Sequence, residues 1–200
     1  MENNKPTDSK STENKPESEN ESLRLEYAFE KGINFKDRII QLTGEIDPNG
    51  SFDYLDAALT EMERTSKKAI TIKINSEGGS AFEALAMVDR IRESKCQIIT
   101  KAYGMAQSAA GLILAAGDKR YIGANAWFMY HESIYGLAPK DHSSQIESIE
   151  QAKREESAWA TAMAKFTNQP VEFWESAAHK SNFYLDAEQC LLYGVVDGII

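Results

Sequence analysis

The chain has few of the residues that metal sites and disulfide frameworks require, and no segment suited to crossing a membrane. It contains two cysteines and three histidines in 200 residues. Cys96 and Cys190 lie far apart, and no HxxH or CxxC pair occurs, so we expect no metal and no other cofactor. The two cysteines are most simply buried thiols in a reducing compartment. No apolar run approaches the ~20 residues of a membrane helix, and residues 1–22 lack the apolar core of a secretory signal, which together favour the cytoplasm.

Basic residues are also scarce. The chain carries 22 Lys and Arg against 31 Asp and Glu, a net charge of −9. Nucleic-acid affinity depends on clustered cations, so we expect no nucleic-acid partner. Residues 1–22 contain no aromatic residue, and their only apolar side chain is that of Met1. We therefore predict a disordered acidic tail over residues 1–24 and one folded domain over residues 25–200.

Within that domain, strand-like and helix-like segments alternate. Ile70, Ile72 and Ile74 share one face of a strand, and residues 109–116 are apolar on all sides, as in a buried helix. A long amphipathic helix is expected over about residues 144–166. The predicted strands are 38–42, 70–74, 98–100, 127–130 and 195–200. Alternation with short connections predicts an α/β fold of parallel strands with crossover helices.

Two helix starts have recognisable caps. Ser80 precedes a helix and is followed three residues later by Glu83, a capping-box pattern. Asp186 and Gln189 repeat that pattern near the end of the chain. Pro170 is expected to start a short helix.

Ser108 is the candidate nucleophile. It lies between a strand and the buried helix, among small residues that leave room for a substrate, although it could equally be an ordinary helix cap. The glycines after the strand at 70–74 can expose backbone N–H groups. The N–H groups of Gly78 and Ala109 would form a two-donor oxyanion hole, which makes the chain a candidate serine hydrolase.

His131 is the candidate general base because it ends an apolar strand. His142 and His179 are alternatives, but neither is tied to a buried strand end. A third group should accept the Nδ1 proton of the base, and the stretch 179–186 is its expected source. Spacing alone does not select the residue.

Five segments together resemble the Clp protease proteolytic subunit family (ClpP). They are 36–44 (KDRIIQLTG), 74–79 (INSEGG), 104–117 (GMAQSAAGLILAAG), 129–131 (MYH) and 185–197 (LDAEQCLLYGVVD). They occur in the family's order and cover about residues 35–200.

The resemblance implies a serine endopeptidase that cleaves unfolded polypeptides or peptides. Its fold would be the ClpP/crotonase-like spiral of β-β-α units, with the helix at 144–166 as a protruding handle. Ser108 would be the nucleophile and His131 the base, with Gly78 and Ala109 in the oxyanion hole. Family members form rings, usually two stacked heptamers with the sites inside a chamber, and an AAA+ unfoldase often feeds them.

The chain departs from the family pattern at several positions. The family's catalytic Asp falls on Asn182, whose carbonyl can accept the imidazole N–H but adds no charge, so we expect weak or conditional activity. Asp186 is a substitute carboxylate with a capping role of its own. Glu77 replaces the usual proline before the glycines, which bears on substrate preference.

Four further departures concern the surroundings of the site and the expected partners. Gln107 and Ala109 replace the commoner Ala and Met, and Ser133 stands where a proline usually follows the histidine. Thr71 and Lys73 are polar where many members dock the ATPase, which weakens the case for an unfoldase. The tail also lacks the apolar loop that lines the family's axial pore. These features suggest a divergent member, such as a phage-type capsid-maturation protease or a partner subunit in a mixed ring.

Two further functions compete with an active endopeptidase. One is a non-catalytic ring subunit that assembles with or regulates a paralogue. The other is an acyl-CoA enzyme on the related crotonase-like fold, which does not usually carry a Ser–His pair. A membrane-bound signal-peptide-peptidase relative would need an anchor and a catalytic lysine, and no anchor is seen.

Overall fold

The computed structural model describes residue 30 and residues 32–132, 141–179 and 182–200. The predicted disordered tail and Ser133 lie outside these residues. The strands are β1 (Ile33–Asn34), β2 (Ile39–Ile46), β3 (Ile70–Gly79), β4 (Ile98–Gln107), β5 (Lys119–Ile122), β6 (Trp127–Tyr130), β7 (Phe183–Leu185) and β8 (Gly198–Ile199). The helices of the described residues are α1 (Ser51–Thr65), α2 (Ala81–Glu93), α3 (Ala109–Ala115), α4 (His142–Phe166), α5 (Val171–Ala178) and α6 (Ala187–Leu192).

The strands form one sheet in the order β1-β2-β3-β4-β5-β8, and the pairs from β2 to β8 are parallel. The predicted α/β architecture is therefore confirmed. Two strands run against this pattern, because β1 pairs antiparallel with β2 and β7 pairs antiparallel with β6. The sequence analysis identified neither these two strands nor β5.

Period-two alternation explains β3. Ile70, Ile72 and Ile74 are fully buried, whereas Thr71 and Lys73 are partly exposed. The buried isoleucines pack into one core with side chains from α1, α2 and α3. Removal of such side chains from water is the main force that holds the helices on the sheet.

The capping box predicted at the start of α6 is present, whereas the one predicted at the start of α2 is not complete. Asp186 and Gln189 form a complete capping box at α6. Ser80 accepts a hydrogen bond from the Glu83 backbone N–H at α2, but the Glu83 carboxylate accepts from the N–H of Phe52, 2.7 Å away. Glu83 thus joins α2 to the start of α1 instead of closing a capping box.

The sheet branches at β4, which pairs with both β5 and β6, and this branch brings the candidate site residues together. The first half of β4 pairs with β5, from Ile99 to Ala102, and its last residues pair with β6. Gln107 lies opposite Met129, so the end of β4 and the end of β6 lie side by side. The residues that follow these two ends are Ser108 and, after Tyr130, His131.

Two smaller findings bear on the sequence predictions. Cys96 and Cys190 are free and buried, and burial raises the pKa of the Cys190 thiol to about 12. No helix in the described part of the chain is long and apolar enough to cross a membrane.

Candidate active site

Ser108 occupies a sharp turn between β4 and α3. Its φ of 50° and ψ of −121° are unusual for a residue with a side chain. Its N–H donates to the Met129 carbonyl at 2.8 Å, which ties the turn to β6. Its side chain caps no backbone N–H of α3. The Ser108 hydroxyl is thus held out of the helix, and the alternative of an ordinary cap does not fit.

The Ser108 Oγ lies 2.8 Å from the Nε2 of His131. For Nε2 to accept the serine proton, the imidazole must carry its own proton on Nδ1. Partial burial lowers the pKa of His131 below its ordinary value, because removal from water disfavours the charged ring. This shift favours the neutral ring, which is the form that a general base requires.

The other two histidines lie elsewhere. His142 is the first residue of α4 and His179 follows the end of α5. Of the three histidines, His131 alone is hydrogen-bonded to Ser108 among the described contacts.

His131 directly follows β6, and Asn182 directly precedes β7. Tyr130 pairs with Phe183 in antiparallel register, so the strand ends that lead to His131 and to Asn182 lie side by side. The exposed Asn182 side chain donates from Nδ2 to the Tyr184 Oη at 3.5 Å, and no hydrogen bond joins it to His131 within the described residues. Asp186, the other candidate, uses its carboxylate in the α6 cap.

Gly78 lies directly against the serine turn. A Cβ built on it would stand 2.6 Å from the Gln107 carbonyl oxygen, 2.8 Å from the Ser108 Cβ and 2.9 Å from the Ala109 nitrogen. Its φ of 97° also favours glycine. The structure therefore brings Gly78, Ser108 and Ala109 together, as the predicted oxyanion hole requires.

The Gly78 N–H is nevertheless engaged in this structure. It donates to the buried Ser76 Oγ at 3.0 Å. No role for Ser76 is predicted from the sequence, although a serine hydroxyl can bond the backbone two residues further on in this way. The predicted oxyanion hole is thus incomplete in this structure, because one of its two donors, the Gly78 N–H, points toward Ser76.

A groove of about 480 Å³ opens over these residues. Ser108, His131 and Gly78 line it, together with the apolar side chains of Phe82 and Trp159. A larger cavity of about 660 Å³ lies beside the β1–β2 hairpin and includes neither Ser108 nor His131, so it has no reactive pair. Across the described residues, no group of three His, Cys, Asp or Glu side chains could hold a metal ion.

A polarised serine beside a neutral imidazole can carry out acyl transfer, the chemistry of the serine hydrolases. The sequence model of the Clp protease family matches residues 28–200. The chain therefore belongs to the Clp protease family, as the sequence motifs predicted. Members of this family are serine peptidases that assemble into oligomeric rings.

Proposed function

We propose that this chain is a serine endopeptidase of the Clp proteolytic subunit type. In this proposal Ser108 Oγ attacks the scissile carbonyl, and His131 Nε2 takes the hydroxyl proton and later donates it to the leaving amine. The observation that carries the proposal is the 2.8 Å contact between these two atoms in an open groove.

Asn182 is proposed as the third member of the triad. We infer that a rotation of its side chain away from Tyr184 would bring its Oδ1 toward the Nδ1–H of His131, since the two residues adjoin the paired Tyr130 and Phe183. An amide oxygen orients the imidazole but provides no negative charge for the imidazolium that forms. Activity should therefore be weaker than with a carboxylate.

Ala109 and Gly78 are proposed to bind the oxyanion. Ala109 N–H belongs to the first turn of α3, where helix N–H groups have no partner within the helix. Gly78 N–H must leave Ser76 Oγ before it can donate to the substrate. Substrate binding would supply this change, because a developing oxyanion is a stronger acceptor than a hydroxyl.

Assembly is the second part of the proposal. The protruding α4 would act as the handle through which two rings, as heptamers, stack and enclose the sites in a chamber. Unfolded polypeptides or peptides would be the substrates, without a metal or cofactor. A cytoplasmic location is a further part of the proposal. An AAA+ unfoldase partner would have to dock on a polar outer face of β3, formed by Thr71 and Lys73.

A non-catalytic or weakly active ring subunit is the second candidate function. Two observations favour it: Asn182 makes no bond to His131 within the described residues, and the Gly78 N–H is already engaged. Such a subunit would assemble with a paralogue and leave the chemistry to it.

Hydrolysis of an unfolded, fluorescently labelled polypeptide by the purified, assembled chain tests the proposal. We expect slow internal cleavage that disappears in Ser108→Ala, with the assembly unchanged by analytical ultracentrifugation. Equal cleavage by the variant would point to a contaminating protease and overturn the proposal. No cleavage by either protein would favour the non-catalytic subunit.

A further inference from the structure

Three glutamates line the candidate active-site groove. Glu155, on α4, accepts a hydrogen bond from Gln151 Nε2, and the other two lie on neighbouring strands. Glu45 is near the end of β2 and Glu77 near the end of β3, and both line the groove that contains Ser108. The two strands are neighbours, with Glu45 opposite Gly78. Both glutamates are exposed, so their carboxylates are available to a bound chain.

Within the described residues, neither Glu45 nor Glu77 takes part in an ion pair, in contrast to several other acids. The salt bridges of the described residues are Arg64–Glu61, Arg90–Asp56, Arg90–Glu63, Arg92–Asp118 and Arg120–Asp197. No Lys or Arg occurs among the described residues that line the groove. Carboxylates in a groove without a lining cation among the described residues attract a positively charged group of a bound chain.

Apolar surface lies in the same groove. Phe82 is 66% exposed, and Trp159 adds a partly buried indole. A Lys or Arg side chain fits such surroundings, because its aliphatic stem packs on apolar surface while its charged head stays near the carboxylates. An aromatic face also attracts the cation itself.

We propose that the groove selects polypeptide segments with a Lys or Arg close to the scissile bond, and that Glu45 and Glu77 determine this specificity. The inference rests on the proposed function, since it concerns the substrate of the same site. It also gives a role to Glu77, the residue that replaces a proline in the family pattern.

The expected preference is moderate and sensitive to salt. Exposed charge pairs are weak, so each carboxylate should favour a basic over a neutral residue by about twofold to fivefold. Salt screens such pairs, and at ~1 M the screening length is only about 3 Å, so most of the preference should vanish.

The test is cleavage-site profiling of the assembled full chain. A peptide pool of balanced composition is digested, the cut sites are read by mass spectrometry, and residue frequencies around them are compared with those of the pool. Ser108→Ala defines the background, and Glu45→Gln/Glu77→Gln is the test variant. Glu93→Gln is the matched control, because Glu93 is an exposed glutamate of α2 outside the groove. Reaction of Ser108 with a fluorophosphonate shows that each glutamate variant is folded.

We expect Lys and Arg to be enriched, and Asp and Glu depleted, at one or two positions beside the cut. High salt and the double variant should remove the enrichment, whereas Glu93→Gln should keep it. Ser108-dependent cleavage without basic enrichment, or with an enrichment that the double variant keeps, overturns this inference alone. Absence of any Ser108-dependent cleavage overturns the proposed function and this inference with it.

Discussion

A Cβ on Gly78 would lie 2.8 Å from the Cβ of Ser108, closer than side-chain atoms normally approach. The end of β3 and the turn after β4 are therefore packed backbone against backbone. This contact places the Gly78–Gly79 segment and the start of α3 on two sides of the same serine. It is the relationship that makes an oxyanion hole at this position geometrically feasible.

Gly78→Ala should strongly reduce activity. The added methyl group would push against the Gln107 carbonyl and the Ser108 side chain, and a positive φ is unfavourable for alanine. We expect kcat to fall by about 10²-fold or more, similar to the loss of one oxyanion donor. Steady-state peptide hydrolysis measures this.

Gly44→Ala is the matched control for that substitution. Gly44 also has a positive φ, 74°, but a Cβ there would meet nothing within 4 Å. The control should lose about 1 kcal/mol of stability and keep its kcat. An equal loss of kcat in both variants would mean that backbone strain, and not crowding of the serine turn, is responsible.

Asn182→Asp should increase activity. A carboxylate at this position would hold the same imidazole tautomer and stabilise the imidazolium that forms as the serine attacks. We expect kcat/KM to rise by about tenfold. Asn182→Ala should lower kcat, which shows whether the amide already contributes. Equal activity of the wild type, Asn182→Asp and Asn182→Ala would show that Asn182 takes no part in catalysis.

The pH dependence follows from the environment of His131. Its folded-state pKa is lowered by burial, and only the neutral ring can accept the serine proton. The acid limb of kcat/KM should therefore have its midpoint below about 6.5, the ordinary imidazole value. In Asn182→Asp the midpoint should move upward, because the carboxylate favours the charged ring. A wild-type midpoint above the ordinary value would contradict the assignment of a partly desolvated, uncharged base.

Arg38 is expected to be important for stability and not for catalysis. This buried guanidinium donates to the carbonyls of Met62 and Lys68, each at 2.9 Å, and so joins the residue before β2 to the last turn of α1 and to the loop after it. Arg38→Met should lower the free energy of unfolding by about 3 kcal/mol, since buried carbonyls lose their donors. Arg64→Met, at a side chain that is 71% exposed, should change it by less than about 1 kcal/mol. Guanidinium unfolding of both variants measures the difference.

Hydrophobic periodicity and capping residues predicted the strands and helices that depend on neighbouring residues in the chain. The alternation at 70–74 gave the buried face of β3, and Asp186 with Gln189 gave the cap of α6. The helix expected at about 144–166 is α4, His142–Phe166. Ser108 and His131 were each candidates because they follow predicted strands, and the resemblance to the Clp protease family predicted that they act together.

The features that the sequence did not predict depend on pairing between strands that are distant in the chain. β4 was predicted only over 98–100, but it runs to Gln107 because β6 pairs with a segment, 104–107, that has little β-propensity of its own. β5 is short and rich in charge, so no hydrophobic period marks it. The approach of the strand ends next to His131 and Asn182 depends on the register of β6 and β7, which spacing along the chain does not fix.

The most direct test of the central claim is covalent labelling of the assembled protein with a fluorophosphonate, with the modified residue identified by peptide mass spectrometry. Only an activated serine reacts readily with such a probe. The account predicts modification confined to Ser108, lost in Ser108→Ala and strongly slowed in His131→Ala. Folded, assembled protein in which Ser108 stays unmodified would contradict the claim that Ser108 and His131 form a working catalytic pair.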